Sequence, residues 1–231
     1  MAAGGCGRVA FDPAITPGDG GSDTSDGSDG PPPVPRCGPG ETAGPFTTDF
    51  ENGVPMFGSI YEIAPARMDV FAGQLRGRPA MAPGSNTYAG FEATVGDYRS
   101  RRAFVEIPTM VNTSGCAQVA IVIQDDDVVR YAELAQSCNL VEAMTWAGTT
   151  QTVHGSAPYD AALHRWWQLR SEAGTLSFEL SPDGVSWTTL AAIPTPAYFD
   201  DAYLELSAGT YMLETQPIGE ARFDNLYDCT R

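Results

Sequence analysis

The sequence predicts an all-β protein, an antiparallel sandwich, and three observations carry that prediction. From Phe46 onward, short runs rich in β-branched and aromatic residues alternate with Gly, Pro, Asn and Asp. No helical periodicity is long enough to need a layer of its own. Of the 231 residues, 42% are hydrophobic, enough for one sizeable core plus a tail.

The chain opens differently. Residues 12–45 include GDGGSDTSDGSDGPPPVPR, in which Gly, Ser, Asp and Pro leave no apolar periodicity to offset chain entropy. The segment is expected to be a disordered linker, flexible through its Gly/Ser/Asp part and stiffened by the proline run before a domain spanning 46–231. Ahead of it, residues 1–11 contain Ala3-Gly4-Gly5-Cys6. Small residues before a cysteine resemble the end of a bacterial lipobox, which makes Cys6 a candidate for lipidation. The charged and apolar regions of a signal peptide are missing from the five residues ahead of it.

The strands follow in order. TYAGFEATV (87–95), RAFVEIPTM (102–110), QVAIVIQ (118–124) and VVRYAEL (128–134) come first, with the acidic cluster Asp125-Asp126-Asp127 as a solvated turn between the last two. HRWWQLR (164–170), TLSFEL (175–180), SWTTLA (186–191), AYLELSAG (202–209) and ARFDNLY (221–227) complete the set. Between TLSFEL and SWTTLA, the run Ser181-Pro182-Asp183-Gly184-Val185 is a hairpin signal, with Asp183 expected to cap its own turn and Trp187 to pack in the core.

Composition excludes several functions. Against 29 acidic residues stand 13 basic ones, a formal net charge of −16. Such a surface is repelled by phosphate backbones and anionic lipids, so nucleic acid is not an expected partner, and a membrane only through a lipid on Cys6. All the basic residues are arginine, so neither a Schiff-base lysine nor a Walker-type phosphate site exists. The only histidines are His154 and His164, too few for a three-histidine metal site, and no Gly-x-Ser-x-Gly or His-Glu-x-x-His occurs.

With Cys6 set aside, four cysteines remain, and four allow three connectivities. Cys116 and Cys138 lie about equally far from the Asp125–Asp127 turn, as a cross-strand bridge requires, while Cys37 and Cys229 flank the structured segments and suit a clasp on the termini. Disulfides imply an exported protein.

The adjacent tryptophans pose the functional question. Successive strand residues point to opposite faces, so His164, Trp166, Gln168 and Arg170 share one side while Arg165, Trp167 and Leu169 share the other. Leu169 marks the second side as core and Trp167 as packing. Trp166 is then either a sugar-stacking platform flanked by hydrogen-bonding side chains, or part of a second minor core covered by the segment from Trp146 to Tyr159. Tyr88, Phe91, Tyr131 and Trp146 fit either surface.

HRWWQLRSEAGTLSFELSPDGVSWTTLA is similar to the Trp strand and hairpin of the concanavalin A-like lectin/glucanase superfamily, jelly-roll sandwiches related to laminin-G-type modules. FTTDFENGVP (46–55) resembles the opening strand of such modules and GEARFDNLY (219–227) their closing strand. The resemblance implies a jelly roll. It also implies a possible structural calcium ion tying the first strand to the last, for which Asp49, Glu51 and Asp224 occupy comparable places. The superfamily's glucanases use a Glu-x-Asp-x-x-Glu strand, which this chain lacks. The expectation is therefore a non-catalytic module on the surface of a Gram-negative bacterium, probing glycans, with a structural or protein-interaction role as the alternative and a glycoside hydrolase or lyase behind both.

Overall fold

Two antiparallel sheets account for nearly all regular structure in the computed structural model, which describes residues 37–81, 86–125, 127, 129–214 and 217–231. Cys6 and the remainder of the expected linker up to residue 36 lie outside the described residues.

With strands numbered along the chain, the seven-stranded sheet has the order β10 (Thr150–Pro158), β9 (Leu140–Ala147), β8 (Arg130–Ser137), β7 (Gln118–Asp125), β14 (Ala202–Thr210), β5 (Thr87–Ala93) and β2 (Gly58–Glu62). The eight-stranded sheet runs β13 (Thr188–Pro194), β12 (Thr175–Ser181), β11 (Trp166–Glu172), β6 (Arg101–Thr109), β15 (Ala221–Thr230), β4 (Gln74–Arg78) and β3 (Arg67–Phe71). The two-residue β1 (Thr42–Ala43) pairs with the end of β15. A 3₁₀ turn at Ala197–Asp200 precedes β14.

Alternation decides what lies between the sheets. Val119, Ile121 and Ile123 of β7 and Leu204, Leu206 and Ala208 of β14 point inward from one sheet, and Trp167, Leu169, Leu176 and Phe178 meet them from the other. Trp167 is fully buried and its indole N–H donates to the His164 carbonyl at 2.8 Å, so the large ring enters the core with no orphaned polar atom. Two-residue turns close several hairpins. Cys138 and Asn139 between β8 and β9, and Ala173 and Gly174 between β11 and β12, all have positive φ, the geometry that matches the twist of paired strands.

Both expected disulfides are present, Cys37–Cys229 and Cys116–Cys138, with Cα–Cα separations of 5.5 and 4.1 Å. The first explains why structure begins earlier than the composition suggests. Residues 37–45, placed in the linker by sequence, are held against β15 by that bridge, by the β1 pairing, and by the Gly44 N–H donating to the Asp228 carbonyl at 2.6 Å.

Three other expectations change. FTTDFENGVP is not a strand; only Thr48 bridges to Leu226. The Thr48 hydroxyl and the Asp49 carboxylate accept from the backbone N–H groups of Phe50 and Glu51, and Phe50 takes φ 58°, which turns the chain away from a ladder. The segment from Trp146 to Tyr159, expected as a cover for Trp166, instead lies in the opposite sheet, as the end of β9 and the whole of β10. Asp125 is not solvated turn charge but 5% exposed, accepting from the N–H groups of Val129 and Arg130 and from the Arg130 guanidinium at 2.7 Å.

Candidate functional site

The face expected to bind ligand is closed. Trp166 is 4% exposed, packed with Phe104 and Cys229 in a small cluster bordered by Cys37, Trp187 and Tyr227. Its rings have no open side on which a sugar could stack, which corrects the platform reading and leaves the second minor core. Trp187 belongs to this cluster rather than to the main core. Asp183 does cap its turn, accepting from Val185 and Ser186, bonds that hold its carboxyl down at about 2.

The polar partners of Trp166 are also occupied. Gln168 is buried; its amide N–H donates to Glu179 at 2.5 Å and its oxygen accepts from Arg102 at 3.2 Å. Arg170 forks onto Glu179 at 2.6 and 3.0 Å and reaches Glu172 at 2.8 Å. His164 precedes the strand, where its Nδ1 accepts from the Asp160 N–H and its ring lies 5.8 Å from Tyr159. A hollow of about 470 Å³ does lie beside Gln168, Arg170 and Trp187, but its arginines are matched by Glu41, Glu172 and Glu179.

Nor do the three expected calcium ligands converge. Asp49 caps the Glu51 N–H, while Asp224 accepts from Gln74 at 3.0 Å and from the Asn225 N–H. Among the described residues no group of three acidic, histidine or cysteine side chains is arranged to hold a metal ion.

A different face gathers the chemistry: the outer side of the seven-stranded sheet. Register aligns Met144, Glu133, Val122, Glu205 and Glu92 in one row across β9, β8, β7, β14 and β5. Residues directly opposite one another share a face, so the three carboxylates project together. The next row is Trp146, Tyr131, Gln124 and Tyr203. Tyr131 and Trp146 stack with centroids 5.6 Å apart. On the other flank Gly90 and Gly209 are essential. A Cβ on Gly90 would fall 2.4 Å from a Tyr61 ring carbon, and one on Gly209 would fall 2.3 Å from a Tyr88 ring carbon. With no side chain there, both tyrosines lie flat across the sheet.

The floor between these rings is polar and sunken. Glu133 and Glu205 are 5% and 8% exposed although among the described residues no further layer packs on this face, so the half-buried rings around them form its walls. Glu205 accepts from the Tyr61 hydroxyl at 2.9 Å and from Gln124 at 3.0 Å; Glu133 accepts from Gln118 at 3.2 Å and Trp146 at 3.4 Å. Burial raises all three carboxyls above their usual range, Glu133 to about 7, and the neighbouring charges of Glu205 on Glu133 and of Glu92 on Glu205 add to this. The hydroxyls of Tyr61, Tyr88 and Tyr131 are pushed up for the same reason and stay protonated.

Sequence reasoning missed this face because it searched for catalytic acids along one strand. Glu92, Glu133 and Glu205 come from three strands and meet only through register. The available signal was alternation: Tyr131 and Glu133 sit on β8 opposite the inward Ala132 and Leu134.

No protein-family model matches the chain, and no curated protein sequence does. Solved structures do. The carbohydrate binding module CBM66 from Bacillus subtilis aligns over 73% of this chain and 94% of its own, with 13% identity and a TM-score of 0.51. An endo-1,3-beta-glucanase from Streptomyces sioyaensis aligns over 84% and 98%, with 11% identity and a TM-score of 0.57. The exoplasmic/lumenal domain of VIP36 in its Ca2+-bound form aligns over 77% and 88%, with 11% identity and a TM-score of 0.52. The fold is a concanavalin-like jelly roll. At these identities the likeness concerns architecture, and what the jelly roll binds is argued from its own side chains.

Proposed function

We propose that this jelly roll is a non-catalytic carbohydrate-binding module and that the outer face of the seven-stranded sheet binds the glycan. The observation that carries the reading is the pairing of half-buried aromatic rings with a sunken acceptor floor: Tyr61, Tyr88, Tyr131 and Trp146 around Glu133, Glu205 and Gln124. Aromatic faces stack on the apolar side of a pyranose, and a few fixed polar groups take its hydroxyls. The solved structures reported above, named as a carbohydrate binding module and a glucanase, support the same ligand class.

Catalysis has one observation in its favour, the Glu133 carboxyl held near neutrality in the same row as Glu205. Two-carboxylate glycoside hydrolysis needs one partner ionised, as base or nucleophile, while the other is protonated. Burial raises Glu92, Glu133 and Glu205 alike, and none is held low. Binding is therefore the preferred reading. The two disulfides support export to an oxidising compartment, and a lipid anchor at Cys6 on a Gram-negative surface belongs to the same proposal.

The test is a glycan array probed with the wild-type chain, Trp146→Ala and Trp166→Ala, with reducing-end release monitored alongside. Binding lost only in Trp146→Ala is expected, without release. Binding to no glycan favours a protein-interaction role, and release abolished by Glu133→Gln favours a hydrolase.

A further inference from the structure

The charge on this face bears on which glycans it accepts. Recognition of a carboxylate or sulfate uses arginine or lysine forks, or clustered unpaired N–H groups. The sequence has no lysine, and among the described residues the strands of the seven-stranded sheet carry a single arginine, Arg130. Register puts Arg130 on the inward side with Ala132 and Leu134, where its guanidinium binds Asp125 at 2.7 Å and lies over the Tyr198 ring at 5.2 Å. The sheet's histidine, His154, bonds Thr145 at 2.8 Å and stacks towards Phe178 of the core. Backbone N–H groups in the middle of the sheet are spent in the ladders.

The amide donors on the floor are turned onto its own acids. Gln118 donates to Glu133, while Gln124 and the Tyr61 hydroxyl donate to Glu205. What remains for a ligand is mostly acceptor: the unused lone pairs of Glu133, Glu205 and Glu92, with Glu142 in the adjacent row of the same face, beside the neutral hydroxyl of Tyr131. Such a surface accepts hydrogen bonds and repels negative charge. Sugar hydroxyls can donate to it; uronate and sulfate oxygens cannot.

We infer that the face selects uncharged glycans and excludes polysaccharides bearing carboxylate or sulfate groups, an inference that rests on the carbohydrate-binding reading above. Like charges set against each other across an interface repel, and the repulsion is strongest above neutral pH, where Glu133 has released the proton that its burial favours.

The experiment pairs each of several neutral polysaccharides (β-glucan, mannan, xylan, fructan) with its own carboxymethylated or sulfated derivative. Affinity is measured at pH 8, where Glu133 is ionised, and at low ionic strength as the component lost in Trp146→Ala. The derivative is expected to bind at least about tenfold more weakly than its parent. The gap should narrow with added salt and in Glu92→Gln/Glu142→Gln, a variant that spares the most buried acids. A derivative that binds as tightly as its parent overturns the inference and leaves the carbohydrate reading standing. If no polymer of either kind binds, both fall together.

Discussion

The two outer faces of this sandwich use similar residues to opposite ends. On the eight-stranded sheet, Trp166, Phe104, Trp187 and Tyr227 pack against one another beneath the Cys37–Cys229 bridge, and Arg102 and Arg170 are answered by Glu41 and Glu179. On the seven-stranded sheet, Tyr131 and Trp146 stack beside carboxylates that have hydrogen-bond donors but, among the described residues, no cation. The first face satisfies itself and contributes stability. The second buries carboxylates at a cost and leaves acceptors for something else. Where the arginines sit, rather than where the aromatics sit, separates the structural face from the candidate binding face.

Tryptophan replacements test that division most strongly. Trp167→Ala, in the main core, should lower unfolding free energy by about 3–5 kcal/mol, and Trp166→Ala by roughly 3 kcal/mol. Trp146→Ala, half-exposed, should cost no more than about 1.5 kcal/mol. Urea unfolding of the three variants checks the order, and glycan affinity should invert it, with only Trp146→Ala losing binding. An equal cost at Trp146 and Trp166 would break the distinction.

The clasp comes next. Cys37→Ser with Cys229→Ser opens a bridge between residues 192 apart and should destabilise by about 2–5 kcal/mol in thermal or urea unfolding. Glycan affinity on the far sheet should be unchanged in the fraction that remains folded.

Acidity probes the buried row. The Glu133 carboxyl titrates near 7 in the folded chain and near 4.5 when unfolded. Between those values the folded state holds a proton that the unfolded state has released, so stability falls as pH rises through the window. The loss approaches roughly 3 kcal/mol at most by pH 8, and burial of Glu205 acts in the same direction. Denaturation midpoints from pH 4.5 to 8 should flatten in Glu133→Gln. A flat wild-type profile would remove the buried-acid account.

A small effect on both stability and binding is expected at Gly90. Gly90→Ala puts a methyl group into the Tyr61 ring, so the ring must lift. The stability cost should be about 1–2 kcal/mol. The expected binding loss is several-fold, readable by titration calorimetry.

How much of this was legible beforehand differs by element. Nine of the strands showed as runs of β-branched and aromatic residues, and the Asp183 turn as Pro-Asp-Gly. β3 and β4, by contrast, are RMDVF and QLRGR, whose charges pair across the hairpin and along the sheet edge, as Arg76 does with Asp69 at 2.8 Å; nothing apolar alternates strongly enough to mark them. β10 is TQTVHGSAP, an edge strand largely exposed, with the same deficit. Trp167 was placed correctly because its neighbour Leu169 fixes the face. Trp166 remained ambiguous because its cover comes from Phe104, Trp187 and Tyr227, on other segments of the chain.

By itself the sequence determined the class, the inward side of the Trp167 strand and the exclusion of basic-surface functions, because these follow from local periodicity and composition; the cysteine pairs it only suggested, since four cysteines allow three connectivities. Tertiary structure alone decided which face is covered and which acids meet. Glu92, Glu133 and Glu205 are far apart along the chain and become neighbours only through the antiparallel register of β5, β14, β7 and β8. Register is fixed by burying one face of every strand at once, a condition on the whole sandwich that no single segment carries.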